Sequence, residues 1–273
     1  MIVKTLVENT SADKKYKNKH GLCQYIETKK HKILFDLGPN GLFLKNAEKM
    51  GIDISAVDTV IISHGHPDHG RALERFLRVN NKAKVYVRRN AFDAYYTKIL
   101  CFYFKISLNA VYRNHKQIVL TDAGLEIDDE LYLFADITTQ KLVPESNKAL
   151  FVKRDGRYIP DDFTHEQNLI VRENGKNVMF TGCSHRGITN IISCAREHLG
   201  KNPDCVIGGF HLFNPITKRY ESDELIGRVA EALDNENIMY YTCHCTGQKA
   251  YHILKNKMQE KLGYLATGNY LEL

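Results

Sequence analysis

The chain lacks any apolar run long enough to cross a membrane; its apolar stretches are strand-sized, far short of the roughly 20 residues a spanning helix needs. Its first residues, MIVKTLVENTSADKK, hold no extended apolar segment followed by a small-residue cleavage site, so no secretory leader is expected. A disulfide framework is also missing. Seven cysteines are an odd number at irregular spacings, which suits a reducing compartment, and a cytoplasmic location is the expectation. There is no long arginine-rich tract and no nucleic-acid motif. The lysines are scattered (Lys14, Lys15, Lys17, Lys19, Lys29, Lys30, Lys32), so the formal net charge of +6 reads as a solvated surface with a mild preference for anions. Neither a membrane nor a nucleic acid is an expected partner.

What is present is an ordinary globular composition. The 273 residues are 43% hydrophobic and 26% charged, ample for a sizeable core. With no low-complexity linker, residues 1–273 are expected to form a single domain. Strands and helices alternate. IVKTLVE, CQYIET and KILFDL read as strands, GLFLKNAEKMG as an amphipathic helix stopped by Gly51, VDTVIIS as a buried strand, RALERFLRV as a helix and AKVYVR as a strand. A second series holds the strands NLIVREN, GKNVMFTG, CVIGG and IMYYT. Helices at about 188–198, 222–233 and 248–260 interleave with these, and YLATG closes the series. The stretch at about 90–161 is less regular and is expected to be a helical cover or a loop-rich insertion. It contains AFDAYYTKILCFYFKISL just after Arg88 and Arg89. Its rings are either core or a stacking surface for an aromatic phosphate.

Residues 60–70 read VIISHGHPDHG. Pro67 is expected to keep this segment out of a regular helix or strand, and Gly65 and Gly70 permit a tight turn in which alternate side chains converge. His64, His66, Asp68 and His69 then offer imidazole nitrogens and one carboxylate, a donor set for zinc, manganese or iron without the thiolates of a closed structural zinc site. Four donors in one loop exceed what one open catalytic metal would take from it, so two divalent metal ions are expected, zinc first. Further strands also run into histidines: VMFTGCS into His185, CVIGGF into His211 and MYYTC into His244. In strand–helix units the carboxyl ends of the strands line a common rim where ligands sit. Cys243-His244-Cys245 is not expected to be a local thiolate site, because alternation along a strand would turn both cysteines away from the face of His244.

HxHxDH after a strand, followed by strand-end histidines, resembles the metallo-β-lactamase superfamily. ILFDLG at 33–38 matches that family's first aspartate segment and puts Asp36 in the aspartate position. LVENT, HGLC, NAEKMGID, TGCSHRGITNI, IGGFHL and HCTG resemble the branch typified by a dihydropterin–ribofuranosylaminobenzene phosphate synthase, which also holds metal-dependent hydrolases. The resemblance implies an α/β (α+β) fold, the four-layer αββα metallo-β-lactamase sandwich. It also implies that His64, His66 and His185 hold one metal, and that Asp68, His69 and His244 hold the second. Asp68 counts among the catalytic residues as well. So does His211, as a ligand or a substrate contact. His165 stands where many superfamily members have a third ligand histidine, and is not assigned as one. Where the superfamily has a bridging aspartate, this chain has Gly182–Cys183; Cys183 is either a bridging thiolate or a small buried residue. Asp36 is expected to accept hydrogen bonds from a ligand imidazole or from the backbone of the metal loop.

Two divalent ions against the single charge of Asp68 leave a net positive centre that favours a small anionic substrate. A metal-bound water has its pKa lowered to about 7, which supplies hydroxide at neutral pH. The expected function is a metal-dependent hydrolase acting on a small anionic, phosphorylated molecule. The alternatives are a synthase-like transferase, a metal-dependent nuclease and a non-catalytic metal-binding protein.

Overall fold

The computed structural model describes residues 1–273, which gather into two compact units. One comprises residues 1–122, 148–167 and 266–273; the other comprises 123–147 and 168–265.

The first unit is built on a seven-stranded sheet in the order Tyr270–Glu272, Ile2–Val7, Cys23–Glu27, Lys32–Phe35, Thr59–Ile62, Lys84–Arg88, Ile118–Thr121. Its first four strands pair antiparallel, and from Lys32–Phe35 onward the pairing is parallel. All four residues of Thr59–Ile62 are buried, the pattern of a strand covered on both faces. The helix Leu42–Lys49 begins where Asn40 Oδ1 accepts the Leu42 N–H, and the chain leaves it at Gly51, whose φ of 67° needs no Cβ accommodation. Its Phe43 and Ala47, with Leu73 and Phe76 of the helix Leu73–Val79, share one apolar core with Leu34, Val60 and Val85 of the sheet. Burying each of these phenylalanines is worth about 1.5–3 kcal/mol.

The second unit repeats the plan. Its seven-stranded sheet runs Leu262–Tyr264, Met239–Thr242, Cys205–Gly208, Lys176–Thr181, Asn168–Glu173, Leu131–Phe134, Leu125–Glu126, parallel over the first four strands and antiparallel over the rest. Helices Ile188–Leu199, Asp223–Asp234 and Gln248–Met258 bury Ile191, Val229 and Leu254 in its core. Ser222 caps the middle helix through its hydroxyl to the Leu225 N–H. None of the helices is long and apolar enough to cross a membrane.

Residues 91–108 are neither a helical cover nor a loop. They form the hairpin Tyr95–Ile99 and Phe102–Lys105, which joins Leu150–Arg154 and Arg157–Pro160 in a four-stranded antiparallel sheet of the first unit. The alternation that makes the strand is present: Tyr95 and Thr97 are buried, while Tyr96 is half-buried and Lys98 exposed. Leu100, at φ 55°, lies in the hairpin turn. The expected closing strand YLATG is also displaced. Pairing with Met239–Thr242 stops at Tyr264, and the chain turns over residues 266–269, where Gly268 has φ 96° and the Asn269 N–H donates to the Ala266 carbonyl.

Candidate metal centre

In the first unit the strand Thr59–Ile62 gives way at Ser63 to a buried turn, which, contrary to the expectation from Pro67, runs into one turn of helix at Pro67–Gly70; at the first helical position a proline forfeits no hydrogen bond. His64 and His69 are fully buried and His66 is 6% exposed. Ring centroids lie 4.6 Å apart for His64 and His66, and 4.1 Å apart for His64 and His69. The His69 carbonyl accepts the N–H groups of Leu37 (2.7 Å) and Gly38 (3.0 Å), and the Asp68 carbonyl accepts that of Leu22 (3.2 Å). The turn is therefore tied to two neighbouring loops through its own backbone.

Asp36 decides which ring nitrogens carry protons. One of its oxygens lies 2.6 Å from His69 Nδ1 and accepts the Ser63 hydroxyl at 2.7 Å; the other accepts the Ser63 N–H at 2.8 Å. A carboxylate accepts, so His69 Nδ1 is the N–H and its Nε2 keeps the lone pair. Ser63 has its proton on Asp36 and so accepts from His64 Nδ1 at 2.9 Å, which leaves the lone pair on Nε2 of His64 as well. Burial, and then the neighbouring His69 and His66 rings, push His64 well below its ordinary value; burial takes His66 down to about 3. These rings are neutral at physiological pH, the form a metal needs. Asp68 Oδ2 stands 3.7 Å from His69 Nε2 and 3.1 Å from His20 Nε2. Two lone pairs fixed by a carboxylate, a third buried neutral imidazole and an acidic oxygen make a donor set that suits a divalent transition metal.

In the second unit the predicted residues sit at three adjacent strand ends. Cys183 and His185 follow Lys176–Thr181, His211 follows Cys205–Gly208, and His244 follows Met239–Thr242. All four are buried. The His185 ring lies 4.0 Å from that of His211, and its Nδ1 is 3.0 Å from Asn147 Oδ1, while Asn147 Nδ2 donates to the His185 carbonyl. That pairing makes Nδ1 the donor and leaves the Nε2 lone pair. Ser184 (φ 62°), His211 (φ 49°) and His244 (φ 53°) are all in the left-handed region, as is Asp36 (φ 60°) in the first unit. Backbone held there by non-glycine residues marks places where the surrounding structure over-determines the chain.

Cys245 departs from the sequence expectation. The strand ends at Thr242 and residues 244–246 turn tightly, so strand alternation does not extend to this cysteine. Its sulfur lies with Cys183 Sγ and a His211 ring nitrogen, all within 4.8 Å of one another, and accepts the His211 N–H at 3.3 Å. Gly209 has to be glycine here, because a Cβ would come within 2.5 Å of Cys245 Sγ.

His165 belongs to the first unit and has both ring nitrogens engaged: Nδ1 accepts the Gly65 N–H at 2.9 Å and Nε2 meets Asp161 Oδ2 at 3.1 Å. Of the rings in 91–108, Tyr95 is fully buried, Tyr103 stacks on Tyr158 at 3.8 Å, and Phe102 and Phe104 are exposed. His20, Asn147 and Asp161 carry no ligand spacing of their own in the sequence; of the three, only His20 lies in a family-like motif, HGLC.

A sequence model described as the metallo-beta-lactamase superfamily matches residues 18–185. An uncharacterized protein of Methanocaldococcus jannaschii is 29% identical over 255 residues, covering 91% of this chain and 92% of that protein. The 7,8-dihydropterin-6-methyl-4-(beta-D-ribofuranosyl)-aminobenzene-5'-phosphate synthase of the same organism is 26% identical over 271 residues, covering 93% and 90%. Among solved structures, a metal-dependent hydrolase of the beta-lactamase superfamily superposes with a TM-score of 0.82 at 32% identity, over 100% of this chain and 99% of that one. The fold class expected from the sequence is the fold of that relative.

Proposed function

The chain belongs to the metallo-β-lactamase superfamily, and from that premise we propose that it is a metal-dependent hydrolase of a small anionic, phosphorylated substrate. The observation that carries the reading is the buried turn at 64–69, in which Asp36 and Ser63 leave Nε2 of both His64 and His69 as lone-pair nitrogens. His64, His66, Asp68 and His69 are the proposed donors in that turn, for two divalent ions with zinc as the first choice. His185 and His244 are proposed as further ligands on the order of the family motifs, and His211 as a ligand or substrate contact. When bound, such ions supply an acidified water as nucleophile and Lewis acidity at the electrophile. The chain's own part is to keep His64 and His66 neutral by burial, to fix the tautomers of His64 and His69 through Asp36 and Ser63, and to present one negative charge at Asp68. With a single carboxylate, the loaded turn stays net positive and attracts an anion.

The test is turnover. Metal-loaded protein should hydrolyse some member of a panel of phosphomonoesters, phosphodiesters, lactones and thioesters, and a chelator should abolish that activity. A fully loaded protein inert on every class would make it a metal-holding protein and end the hydrolase reading. Transfer is the second reading, favoured by the relative that is named a synthase. Formation of a joined product from a dihydropterin that carries an anionic leaving group and a phosphorylated arylamine riboside, with release of that group and of the amine proton and without hydrolysis of either substrate, would replace hydrolysis with transfer.

A further inference from the structure

We propose that His165 is a positioning residue: clamped by Asp161, it holds the Gly65 N–H and so fixes the backbone from which His64 and His66 project. The inference rests on reading residues 64–69 as the metal turn, and concerns how that turn keeps its shape.

The hydrogen bonds define the clamp. A backbone N–H can only donate, so the 2.9 Å bond from Gly65 requires a lone pair on His165 Nδ1. The proton is then on Nε2, where it points at Asp161 Oδ2, 3.1 Å away. Both side chains are fully buried. Asp161 is anchored in turn: its other oxygen accepts the Phe163 N–H at 2.8 Å, and its own N–H donates to the Leu150 carbonyl at 3.0 Å. Phe163 between them sits at φ 52°, backbone that a phenylalanine adopts only when its surroundings insist.

The segment around His165 runs alongside the start of the turn. Gln167 donates its N–H to the Ser63 carbonyl at 2.8 Å and its side-chain amide to the carbonyls of Ile62 (2.8 Å) and Tyr86 (3.1 Å). Ile62, Ser63 and Gly65 are thus held by one short stretch of chain. The Tyr95 ring packs 4.1 Å from the His165 ring, and a Cβ on Gly65 would meet the Ala91 carbonyl at 2.5 Å and Tyr95 at 2.9 Å. Gly65 is wedged on one side and hydrogen-bonded on the other. Ligand atoms of His66, Asp161 and His165 lie within 4.8 Å of one another. A metal taken there by His165 would have to break one of its two hydrogen bonds, which is why the geometry points to support and not to ligation.

The experiment uses three variants of the full chain and two measurements. Amide exchange at Gly65 is read in metal-free protein, and zinc affinity by competition with a chelating dye. His165→Ala should speed Gly65 exchange by about tenfold, the scale of one net hydrogen bond, and weaken zinc by about 10–100-fold, the usual loss when a ligand's support is removed. His165→Asn places an oxygen near the Nδ1 position and should recover most of both. His165→Gln reaches the Nε2 position instead and should resemble alanine. Should alanine fail to fold, the contrast between asparagine and glutamine carries the same information. Equal exchange and affinity in alanine and wild type overturn the proposal, and so does an asparagine variant no better than glutamine. Loss of bound zinc from the asparagine variant with Gly65 exchange unchanged would make His165 a ligand, and also overturns it. If wild type binds no metal yet the exchange contrast holds, the hydrolase reading falls and the clamp stands.

Discussion

In the first unit the four proposed donor side chains come from one hexapeptide, His64 to His69, and the tautomers of His64 and His69 are set by a single carboxylate, Asp36. In the second unit His185, His211 and His244 stand on three separate strand ends, and the ring of His185 is oriented by an amide, Asn147. Both units carry sheets of seven strands that are part parallel and part antiparallel. The difference lies in how chemistry is loaded onto the scaffold. A local cluster depends on turn geometry and on one supporting group, whereas a distributed set depends on strand register. The first arrangement concentrates risk in a few residues; the second spreads it.

The largest effect follows from that concentration. His64→Ala or Asp68→Ala should empty the protein of most of its metal, weakening affinity beyond the roughly 10–100-fold expected for losing a supporting partner. Elemental analysis of dialysed protein reads this directly. His185→Ala should retain more metal than either, and equal loss would erase the asymmetry between the units. Next comes Asp36→Asn, which keeps size but removes the charge that accepts from His69 and Ser63. Zinc affinity should fall by about 10–100-fold with little change in fold, and an unchanged affinity would mean that the tautomers are set elsewhere.

The two tight glycines compare the backbones. Gly65→Ala and Gly209→Ala each force a Cβ to within 2.5 Å of a neighbour, the Ala91 carbonyl and Cys245 Sγ respectively. Each should cost about 1–3 kcal/mol in denaturant unfolding. A larger penalty at Gly65 would sharpen the contrast, because the backbone carbonyl it meets lies at 2.5 Å, whereas the nearest backbone atom to a Cβ at Gly209 is the Gly182 carbonyl at 2.9 Å. The remaining effect is on pH, and it shows only under acid conditions. In metal-free protein the folded His66 ring stays neutral down to about 3, while the unfolded ring takes up a proton near 6.5. The unfolded state then binds more protons, so this stabilisation is complete above about pH 6.5 and lost as pH falls. The slope is at most about 1.4 kcal/mol per pH unit for this ring. His66→Gln should flatten the dependence of melting temperature on pH between about 6 and 4, and an equally steep profile would place the acid sensitivity in groups other than this ring.

Legibility in the sequence followed the same division. HGHPDH could be read because four donors and their turn residues are contiguous, and Asp36 because ILFDLG precedes it in family order. The helices and most strands were legible from periodicity. Asp161, Asn147 and Cys245 were not, since each acquires its role only when a distant segment is brought beside it by tertiary packing. The surroundings of Cys245 are hidden for a more specific reason: strand alternation ends at Thr242, and residues 244–246 turn. The hairpin 95–105 was hidden by aromatic density. Its buried and exposed residues do alternate, but Phe102 and Phe104 are exposed, and that blurs the contrast on which a strand pattern is recognised.

Asp36, His211 and His244 share a left-handed backbone, and this limits how far the protein could be engineered for heat tolerance. Glycine at any of the three would relax a conformation that costs a side-chain-bearing residue about 1–3 kcal/mol. A screen scored on thermal denaturation alone would therefore be drawn to His211 and His244, whereas at Asp36 the relief is offset by the loss of its buried hydrogen bonds to Ser63 and His69. It would return hardier proteins in which an imidazole of the candidate site had been deleted. Selection for robustness and selection for the proposed chemistry pull in opposite directions at those two histidines, so a thermostable variant that keeps them has to find its gains elsewhere in the chain.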